Sequence, residues 1–515
     1  MIRQKTSTID RVSNKILALI LGISLFSVYL FSISLYPLVD EDEGAFASAT
    51  LTMMDSGNFT NVELAGERRD DKPVLTHWLQ VISLKTFGFT EFAFRLPSVI
   101  FGLLWAFVTF WFTKKISNKR NAFLAAFFVL ASLGASIIIK TATADGIFNF
   151  FVASTTLLAF LALREQRTKY LYYAAILAGF GFLTKGPAIL IVPGGALFFW
   201  AWWNGYLTET LRKLLNPFLW LVFFCIASPW FIYLYLNEGI DPILGFFLKH
   251  NFQRYTSTFE GHSGPFYYYL VILILLVAPF WNSLFTVVGR IKTDFKDKTK
   301  SFLWIWFLWV LLFFSISSTK LPHYLLYGIT PLFILMALNF KQQSKRINML
   351  IFISLLGFIS SMPFILETLA SSEKDIIWNV LREEIEVFFT PTNFFIPILI
   401  LLVLGIISFV VFSKFNQFII SSLLFLISVH LIFLPSAIGL FQDRFKQAGL
   451  KVKDMNKPLA MYKMNFPSFG VYARDTAYRN HNDGQIILLR SNQIDELGSV
   501  TEIYNRSGIS VVIKE

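Results

Sequence analysis

Thirteen apolar stretches, spread over most of this 515-residue chain, constrain its fold more than any other feature. A helix needs roughly 20 apolar residues to cross the hydrocarbon core of a bilayer, and within lipid it satisfies its own backbone hydrogen bonds. Composition agrees, because 55% of the residues are hydrophobic, 58 are Phe and only 15% are charged. The predicted spans are 14–36, 94–113, 121–139, 146–163, 170–184, 187–203, 215–236, 266–288, 301–319, 322–340, 348–366, 391–413 and 416–437.

The positions of Lys and Arg predict the orientation of these spans. With a cytoplasmic N-terminus, the cytoplasmic segments carry 22 Lys and Arg, whereas the opposite loops carry 11. The positive-inside rule therefore favours this orientation, and an odd number of spans places the C-terminus outside. The same loops explain the net charge of +12, so we do not expect a nucleic-acid partner. The single cysteine, Cys225, excludes an intrachain disulfide.

Three segments on the predicted outer side are too long to be simple connections. Residues 37–93 contain two amphipathic stretches, which predict juxtamembrane helices, and residues 237–265 are rich in aromatic and basic side chains. Residues 438–515 form a polar tail, in which 485–489 and 510–513 read as strands and 482–484 as a turn. The predicted architecture is an all-α polytopic membrane domain, 1–437, followed by a small soluble α/β domain, 438–515.

Carboxylates at membrane exits are the first candidates for chemistry. Asp40, Asp42 and Glu43 directly follow the first span, at the start of a helix-compatible pattern. They could orient an acceptor hydroxyl or hold a divalent cation, although a run of acids can also be a solvated turn. Asp145 lies at the junction of two spans on the same side. A carboxylate so close to the hydrocarbon core is costly, which suggests that Asp145 has a functional role. The alternative interpretation is that Asp145 only caps the N-terminus of the following helix.

Cations and aromatic side chains on the same side could bind an anionic lipid. Lys72 and Arg254 suit a phosphate, and Lys185 interrupts an apolar stretch in the way that cavity-lining segments do. A lone lysine at an interface often only snorkels, and a loop histidine such as His262 is a metal ligand or an ordinary surface residue. All these motifs fall on one face under the topology that the charges predict. The further candidates are His250, Lys320 and Tyr324.

These motifs, in this order, resemble the lipid A aminoarabinose transferase-like (ArnT-like) family of the C-type glycosyltransferase superfamily, which also includes the protein O-mannosyltransferases. The resemblance covers roughly residues 37–335. The matching motifs are Asp42-Glu43-x-x-Phe46-Ala47, Lys72-Pro73, Arg95-Leu96-Pro97-Ser98, Asp145, Gly181-Phe182-Leu183-Thr184-Lys185-Gly186, Ser228-Pro229-Trp230, His250-x-x-x-Arg254-Tyr255, His262-x-x-Pro265-Phe266-x-Tyr268-Tyr269 and Lys320-Leu321-Pro322-x-Tyr324.

The resemblance implies a fold and an activity. The fold is about thirteen transmembrane helices, two juxtamembrane helices and a periplasmic α/β tail in a bacterial inner membrane. The activity is an inverting transfer of a sugar from an undecaprenyl-phosphate donor to lipid A, another glycan or protein. The alternatives are an oligosaccharide-lipid ligase or oligosaccharyltransferase, and a transporter or flippase for a lipid-linked sugar. A transporter would place its ionisable residues near the bilayer midplane, and here they cluster at one mouth.

The resemblance also implies roles for individual residues. Asp42 and Asp145 match the family's essential acids, with Glu43 beside the first and Asp40 as a competitor to it. Lys72 and Arg254 match the residues that face the lipid phosphate.

A divalent metal ion, which some family members bind, would be held here by Asp71 and His262. The family usually has Glu at the positions of Asp71 and Lys249, and Pro at Val74. These departures leave the metal site and the identity of the substrate open.

Overall fold

Helices dominate the computed structural model of the chain, which describes residues 8–257, 261, 263–342, 344–372, 376–479 and 485–514. Each of the thirteen predicted spans contains helix. By length and composition, the described residues form eight helices able to cross a membrane, or nine if one bent pair is a single span. The eight are Lys15–Ser34, Glu91–Ile116, Ala144–Glu165, Pro217–Glu238, Lys298–Ile316, Lys345–Ala370, Pro391–Val411 and Lys414–Val452.

The remaining predicted spans are shorter or broken, and for this reason fewer than thirteen helices pass a test of length. The bent pair, Lys119–Ala131 and Leu133–Lys140, turns by 64° at its break. Three shorter apolar helices are Ala188–Trp203, Tyr268–Val277 and Pro322–Leu338. The predicted span 266–288 divides at 278–280 into Tyr268–Val277 and Trp281–Val288. The chain is therefore a multi-pass membrane protein in which several membrane segments are discontinuous.

The chain divides into two compact units. One consists of Met1–Leu51, Phe89–Phe92 and Gln342–Glu515, and the other of Thr52–Gly88 and Ala93–Lys341. We call these the terminal unit and the central unit. Helices of the terminal unit are Thr8–Phe26, Lys345–Ser372, Ile376–Phe388, Ile396–Val411, Lys414–Ile427, Leu434–Val452 and Ser468–Ala473, with π-helical turns at Ser27–Phe31, Pro391–Phe395 and Ser428–Phe433 and a 3₁₀ turn at Ser32–Ser34. The predicted juxtamembrane helix Asp42–Ser56 begins in this unit.

The central unit holds the second juxtamembrane helix, Leu75–Phe87, and most of the helix Glu91–Ile116. A two-residue hairpin, β1 (Glu63–Leu64) and β2 (Glu67–Arg68), precedes them. The other helices are Lys119–Ala131, Leu133–Lys140, Ala144–Glu165, Lys169–Lys185, Ala188–Trp203, Leu207–Leu214, Pro217–Glu238, Asp241–Leu244, Arg254–Thr256, Tyr268–Val277, Trp281–Val288, Ile291–Asp294, Lys298–Ile316 and Ile329–Leu338, with a π-helical segment Gly245–Gln253 and a 3₁₀ segment Pro322–Gly328.

The tail contains a five-stranded mixed sheet in the order β4-β3-β5-β7-β6. The two strands predicted from the sequence are β5 (Ile486–Arg490) and β7 (Ile509–Lys514), which pair antiparallel. The predicted turn 482–484 lies outside the described residues. The other strands are β3 (Leu459–Met461), β4 (Ala477–Tyr478) and β6 (Val500–Arg506).

Burial explains why β5 was readable in the sequence. Its residues 486–489 are fully buried, so the strand is apolar on both faces, as expected of a strand covered on both sides. The helix Leu434–Val452 packs against β6, β7 and the short helix Ser468–Ala473. This helix passes through the predicted domain boundary at 437/438, so the polar tail begins as a continuation of a membrane helix.

Candidate functional site in the central unit

A buried polar cluster lies where three helical segments of the central unit end or begin. Asp145 stands in the first turn of Ala144–Glu165, and Lys185 is the last residue of Lys169–Lys185. The Lys185 ammonium donates to Asp145 Oδ1 at 2.5 Å and to the Tyr327 hydroxyl at 2.7 Å. Tyr327 in turn donates to Asp145 Oδ1 at 2.9 Å. The carboxylate predicted as the second essential acid is therefore paired with a predicted substrate-binding lysine.

Aromatic rings complete this cluster. The 3₁₀ segment Pro322–Gly328 supplies both Tyr324 and Tyr327, whose ring centroids lie 5.5 Å and 5.4 Å from the Lys185 ammonium. His323 Nε2 is 3.7 Å from Asp145 Oδ1. A buried ion pair is stable only when further hydrogen bonds and dipoles replace the lost water, and the phenols and imidazole supply these.

The local backbone explains where Lys185 lies. Gly186 ends the helix with φ of 79°, a conformation that glycine adopts without steric cost. A Cβ at this position would stand 2.3 Å from the Phe246 ring. The helix therefore stops here, and the next one begins only at Ala188. This break leaves Lys185 in a discontinuous stretch of membrane helix, as the sequence predicted.

A second charged group precedes the juxtamembrane helix Leu75–Phe87. The Asp71 carboxylate accepts from Arg69 Nε and from the Lys72 ammonium, each at 2.7 Å. Burial would raise the pKa of Asp71, but Arg69 and Lys72 outweigh it and hold that pKa well below its ordinary value. Two cations share one carboxylate, so the group carries a net positive charge that can attract a phosphate.

One cavity of about 380 Å³ joins both charged groups within the central unit. Its polar lining consists of side chains singled out in the sequence together with Tyr255, Ser317 and Tyr327, and its remaining walls are apolar or aromatic. The full lining is Asp71, Lys72, Lys185, Pro187, Ala188, Ile191, Phe247, His250, Phe252, Tyr255, Phe313, Phe314, Ser317, Tyr324 and Tyr327. Such a cavity suits a ligand with an anionic head and an apolar tail.

Among the described residues, the predicted Lys320 does not line this cavity. Lys320 is buried, and its ammonium donates to the Ser317 carbonyl at 2.7 Å. Arg254 lies in the short helix Arg254–Thr256, but its side chain is outside what the structure describes. His262 lies outside the described residues altogether. Their predicted roles stay predictions.

Of the two residues predicted to hold a metal ion, the structure describes only Asp71, because His262 lies outside the described residues, so the metal site stays a prediction. The Asp71 carboxylate is already neutralised by two cations, and no group of three His, Cys, Asp or Glu side chains that could hold a metal ion occurs in the described part of the chain. Metal ions are held by several converging anionic or neutral ligands, and cations beside a ligand oppose binding.

The acids after the first span lie in the terminal unit. Asp42 is exposed at the first position of the helix Asp42–Ser56. Glu43 is buried, and its Oε2 accepts the Val39 backbone N–H at 2.9 Å, which is a capping contact. Of these two predicted catalytic carboxylates, Asp42 is thus the one that is open to an acceptor.

Asp40 is hydrogen-bonded to the tail of the terminal unit. It accepts the Ser468 backbone N–H at 3.0 Å and also the Ser468 hydroxyl. Burial raises the pKa of Asp40 to about 7, although the hydrogen bonds from Ser468 lower it. Only glycine fits at position 44, since a Cβ there would stand 1.8 Å from Asp40 Oδ1. These contacts make Asp40 a poor candidate for contact with substrate and a good one for holding the start of the Asp42 helix.

His323 and Tyr327 are site residues that the sequence predictions left out. His323 belongs to the Lys320–Tyr324 motif but had no role of its own there. Tyr327 follows Tyr324 by three residues, a spacing that places two side chains on one face of a helix. This spacing is the signal that could have identified Tyr327.

Comparison with known proteins agrees with the fold and with the order of motifs. The family model for dolichyl-phosphate-mannose-protein mannosyltransferase matches residues 71–233, a range that contains Asp71, Lys72, Asp145 and Lys185. The chain is 30% identical over 322 residues to the undecaprenyl phosphate-alpha-4-amino-4-deoxy-L-arabinose arabinosyl transferase of Aeromonas hydrophila, covering 60% of this chain and 57% of that protein. It is also 30% identical over 359 residues to a Proteus mirabilis protein of the same name, covering 65% and 63%. The chain thus matches about three fifths of the length of these relatives.

A solved structure extends the likeness to the whole chain. The crystal structure of ArnT from Cupriavidus metallidurans bound to undecaprenyl phosphate superposes with a TM-score of 0.81 over 96% of this chain and 97% of that one, at 17% identity. The apo structure of the same protein gives a TM-score of 0.80. At this identity the superposition establishes the fold.

The fold and the buried polar cluster define the class, a multi-pass membrane protein with the C-type glycosyltransferase fold. Within that class the chain is similar to the ArnT-like proteins, in agreement with the resemblance found in its motifs.

Proposed function

We propose that the protein is an inverting membrane glycosyltransferase that takes its sugar from an undecaprenyl-phosphate donor. The observation that carries this proposal is the cavity in which Lys72 and Lys185 meet apolar and aromatic walls. The phosphate of the donor would lie between the two ammonium groups, and the first isoprenoid units would lie along the apolar walls. The names of the relatives, which are undecaprenyl phosphate-dependent arabinosyl transferases, support this class of donor.

The reaction is a single displacement at the anomeric carbon. A bond forms between the acceptor oxygen and this carbon, while the bond from the carbon to the phosphate oxygen breaks. Negative charge grows on the leaving polyprenyl phosphate, and the cations of Lys72 and Lys185 stabilise it. One well-placed donor of this kind contributes about 3 kcal/mol to the stabilisation of a transition state. Attack from the side opposite the phosphate inverts the anomer.

Asp145 prepares Lys185 for this role. Its carboxylate accepts a hydrogen bond from the Lys185 ammonium, and together with the Tyr327 hydroxyl it holds that ammonium in one orientation. As negative charge grows on the leaving phosphate, the Lys185 ammonium can donate a hydrogen bond to that phosphate. Asp145 is then free to accept hydrogen bonds from hydroxyl or amine groups of the sugar.

Asp42 is the proposed base. A hydroxyl acceptor must lose its proton as the new bond forms, and an exposed carboxylate at a helix start can take that proton. A phosphate acceptor is already ionised and would need no base, and in that case Asp42 would orient the acceptor.

The acceptor and the cellular setting complete the proposal. We propose a bacterial inner-membrane enzyme with a cytoplasmic N-terminus and a periplasmic site, as the 22-to-11 distribution of cations predicts. The acceptor is a lipid or glycan on that face, with lipid A as the first to be tried because the relatives act in aminoarabinose transfer by name.

The direct test uses purified full-length protein in lipid nanodiscs. It is incubated with undecaprenyl-phosphate aminoarabinose, or with another undecaprenyl-phosphate sugar, and with lipid A, and the products are identified by mass spectrometry. We expect a sugar mass added to the acceptor and an equal amount of undecaprenyl phosphate released. Movement of the donor across vesicle membranes without any glycosylated product would instead favour a transporter. Consumption of only pyrophosphate-linked oligosaccharides would favour a ligase.

A further inference from the structure

A second cavity of the central unit, of about 290 Å³, lies at the far ends of the helices that build the first. Asp145 and Arg164 stand at opposite ends of Ala144–Glu165, about 28 Å apart at the rise of an α-helix. Lys298 and Ser317 stand at opposite ends of Lys298–Ile316. The second cavity is lined by Phe160, Leu163, Arg164, Gln166, Trp200, Tyr206, Glu209, Thr210, Lys298 and Thr299. The two cavities therefore belong to opposite faces of the membrane.

Positive charge in this second cavity is not compensated. The one carboxylate in its lining, Glu209, already accepts from Lys213 at 2.6 Å and from the Gln166 amide at 3.2 Å. Neither Arg164 nor Lys298 has a carboxylate within ion-pair distance among the residues that the structure describes. The Lys298 ammonium instead donates to the Tyr206 hydroxyl and lies 4.7 Å from the centroid of that ring.

The remaining walls place this charge next to apolar surface. The Trp200 indole N–H donates to the Lys298 carbonyl at 2.9 Å, and the Phe160 ring stacks on Phe302 at 3.9 Å. Trp and Tyr are enriched where a membrane protein meets the headgroup region. Basic pockets between membrane helices bind phosphate-bearing headgroups, and nearby cations attract anionic lipid. The cations close by in sequence are Arg167, Lys169, Arg212, Lys292, Lys296 and Lys300.

We propose that this cavity is a binding site for a phosphate-bearing anion, supplied by the headgroup of an anionic phospholipid. Arg164 and Lys298 hold the phosphate, Thr210 and Thr299 offer hydroxyls, and Phe160 and Trp200 contact the glycerol and the first part of the acyl chains. The site is separate from the cavity of Lys185 and stands independently of the proposed transfer reaction.

The test is lipid binding by the purified full-length protein in a neutral detergent. Native mass spectrometry and thermal unfolding are recorded with phosphatidylglycerol, with phosphatidylcholine and with inorganic phosphate. We expect phosphatidylglycerol to bind preferentially and to raise the unfolding temperature. The double variant Arg164→Gln/Lys298→Gln should weaken this binding at least tenfold.

The control is Arg212→Gln/Lys292→Gln, which removes the same charge from exposed positions on the same side that do not line the cavity. It should bind phosphatidylglycerol as the native protein does. Arg164→Gln alone is included because Arg164 makes no hydrogen bond or ion pair within the described part of the chain, so its loss should leave folding intact. Intact folding is checked by comparing the unfolding temperatures of Arg164→Gln and the native protein in phosphatidylcholine, which should be equal.

The outcomes separate the sources of the anion. Equal losses in both double variants would overturn the proposal, and so would equal binding of phosphatidylglycerol and phosphatidylcholine without any stabilisation by inorganic phosphate. Stabilisation by inorganic phosphate that is lost in Arg164→Gln, without any preference for phosphatidylglycerol, would support the phosphate site and assign it to a soluble anion.

Discussion

Asp145 and Lys185 combine a structural contact with a proposed role in the reaction. Their pair is enclosed by Tyr324 and Tyr327, so neither charge can be removed without leaving the other in a medium of low dielectric. At the same time Lys185 lines the cavity, where an incoming phosphate can compete with Asp145 for its protons. Stability and activity should therefore respond differently to changes in this pair.

The first prediction separates the two effects. Lys185→Met should lower the free energy of unfolding by about 3–5 kcal/mol, because it leaves the Asp145 carboxylate buried without its cation. The double variant Lys185→Met/Asp145→Asn should recover much of this stability, yet transfer should stay lost because the phosphate still lacks its cation. Thermal unfolding and transfer assays on both variants measure this. Recovery of activity in the double variant would contradict the role given to Lys185.

The second prediction concerns Lys72. Lys72→Ala should weaken the binding of undecaprenyl phosphate by about 2 kcal/mol, roughly 30-fold in the dissociation constant, because a hydrogen bond to a charged group is lost. Lys85→Ala is the matched control, since Lys85 lies in the last turn of the helix Leu75–Phe87 that follows Lys72. The Lys85 ammonium lies 5.0 Å from the Phe59 ring centroid, and Lys85 does not line the cavity. The measurement is a titration of each variant with undecaprenyl phosphate. An equal change in the dissociation constant for both variants would mean that Lys72 contributes only to the overall positive charge and does not contact the phosphate.

Among the elements, the short segment before the helix Asp42–Ser56 is held by the helix Ser468–Ala473 of the tail. Asp40 bonds to Ser468, and the Leu38 backbone N–H donates to the Tyr472 hydroxyl at 2.8 Å. The soluble part of the terminal unit thus orients the element that presents Asp42. The tail therefore also helps to position the start of the helix Asp42–Ser56.

A pH dependence follows from the Asp40 contact. Because the pKa of Asp40 is raised in the folded state to about 7, its contribution to stability is present below about pH 4 and is lost as the pH rises through 7. The free energy of unfolding of the native protein, relative to that of Asp40→Asn, should therefore fall between pH 4 and 7 and then level off. Thermal unfolding across this range checks it.

Ser468→Ala provides the control for this pH dependence. It removes a hydroxyl that favours the charged carboxylate and so raises the pKa of Asp40 further. The loss of stability should therefore begin at the same pH but continue to a higher pH and become larger. A difference between native protein and Asp40→Asn that does not vary with pH would contradict the raised pKa.

At the scale of the whole molecule, the proposed mechanism uses two carboxylates, Asp42 of the terminal unit and Asp145 of the central unit. The carboxylate that acts as the base must lie within about 2.6–3.2 Å of the incoming nucleophile. Asp42→Asn should abolish transfer and preserve donor binding, since it removes only charge and basicity. Asp145→Asn should do the same or weaken sugar recognition, and Asp40→Asn should be milder. Full transfer activity in Asp42→Asn would remove Asp42 from the mechanism.

Topology gives a prediction that needs no substrate. Reporter fusions at residue 295 and at the C-terminus should report opposite compartments, with 295 in the cytoplasm. The reason is the excess of Lys and Arg in the segments that would be cytoplasmic. Both fusions in the same compartment would refute the predicted orientation.

Most of the architecture was readable because membrane insertion depends on local composition. The apolar stretches predicted a polytopic helical protein, and the full burial of residues 486–489 explains why β5 could be recognised as a strand. The order of the short motifs was sufficient to indicate the family that the comparisons match, because that order is a property of the sequence alone. Asp145, Lys185, Lys72 and Tyr324 could be selected because charge or a phenol beside apolar sequence is costly and therefore conspicuous.

Tertiary structure alone decided which of these side chains act on one another. The Asp145–Lys185 pair joins residues 40 positions apart, and Tyr327 joins them from a further 142 positions along the chain. Pairing at this distance depends on how helices pack, which no local pattern contains. The same reason explains why Asp40, equivalent to Asp42 in the sequence, is bonded to Ser468 while Asp42 is exposed. Local sequence determined which groups were present at the membrane surface, and packing determined which of them remained open to a ligand.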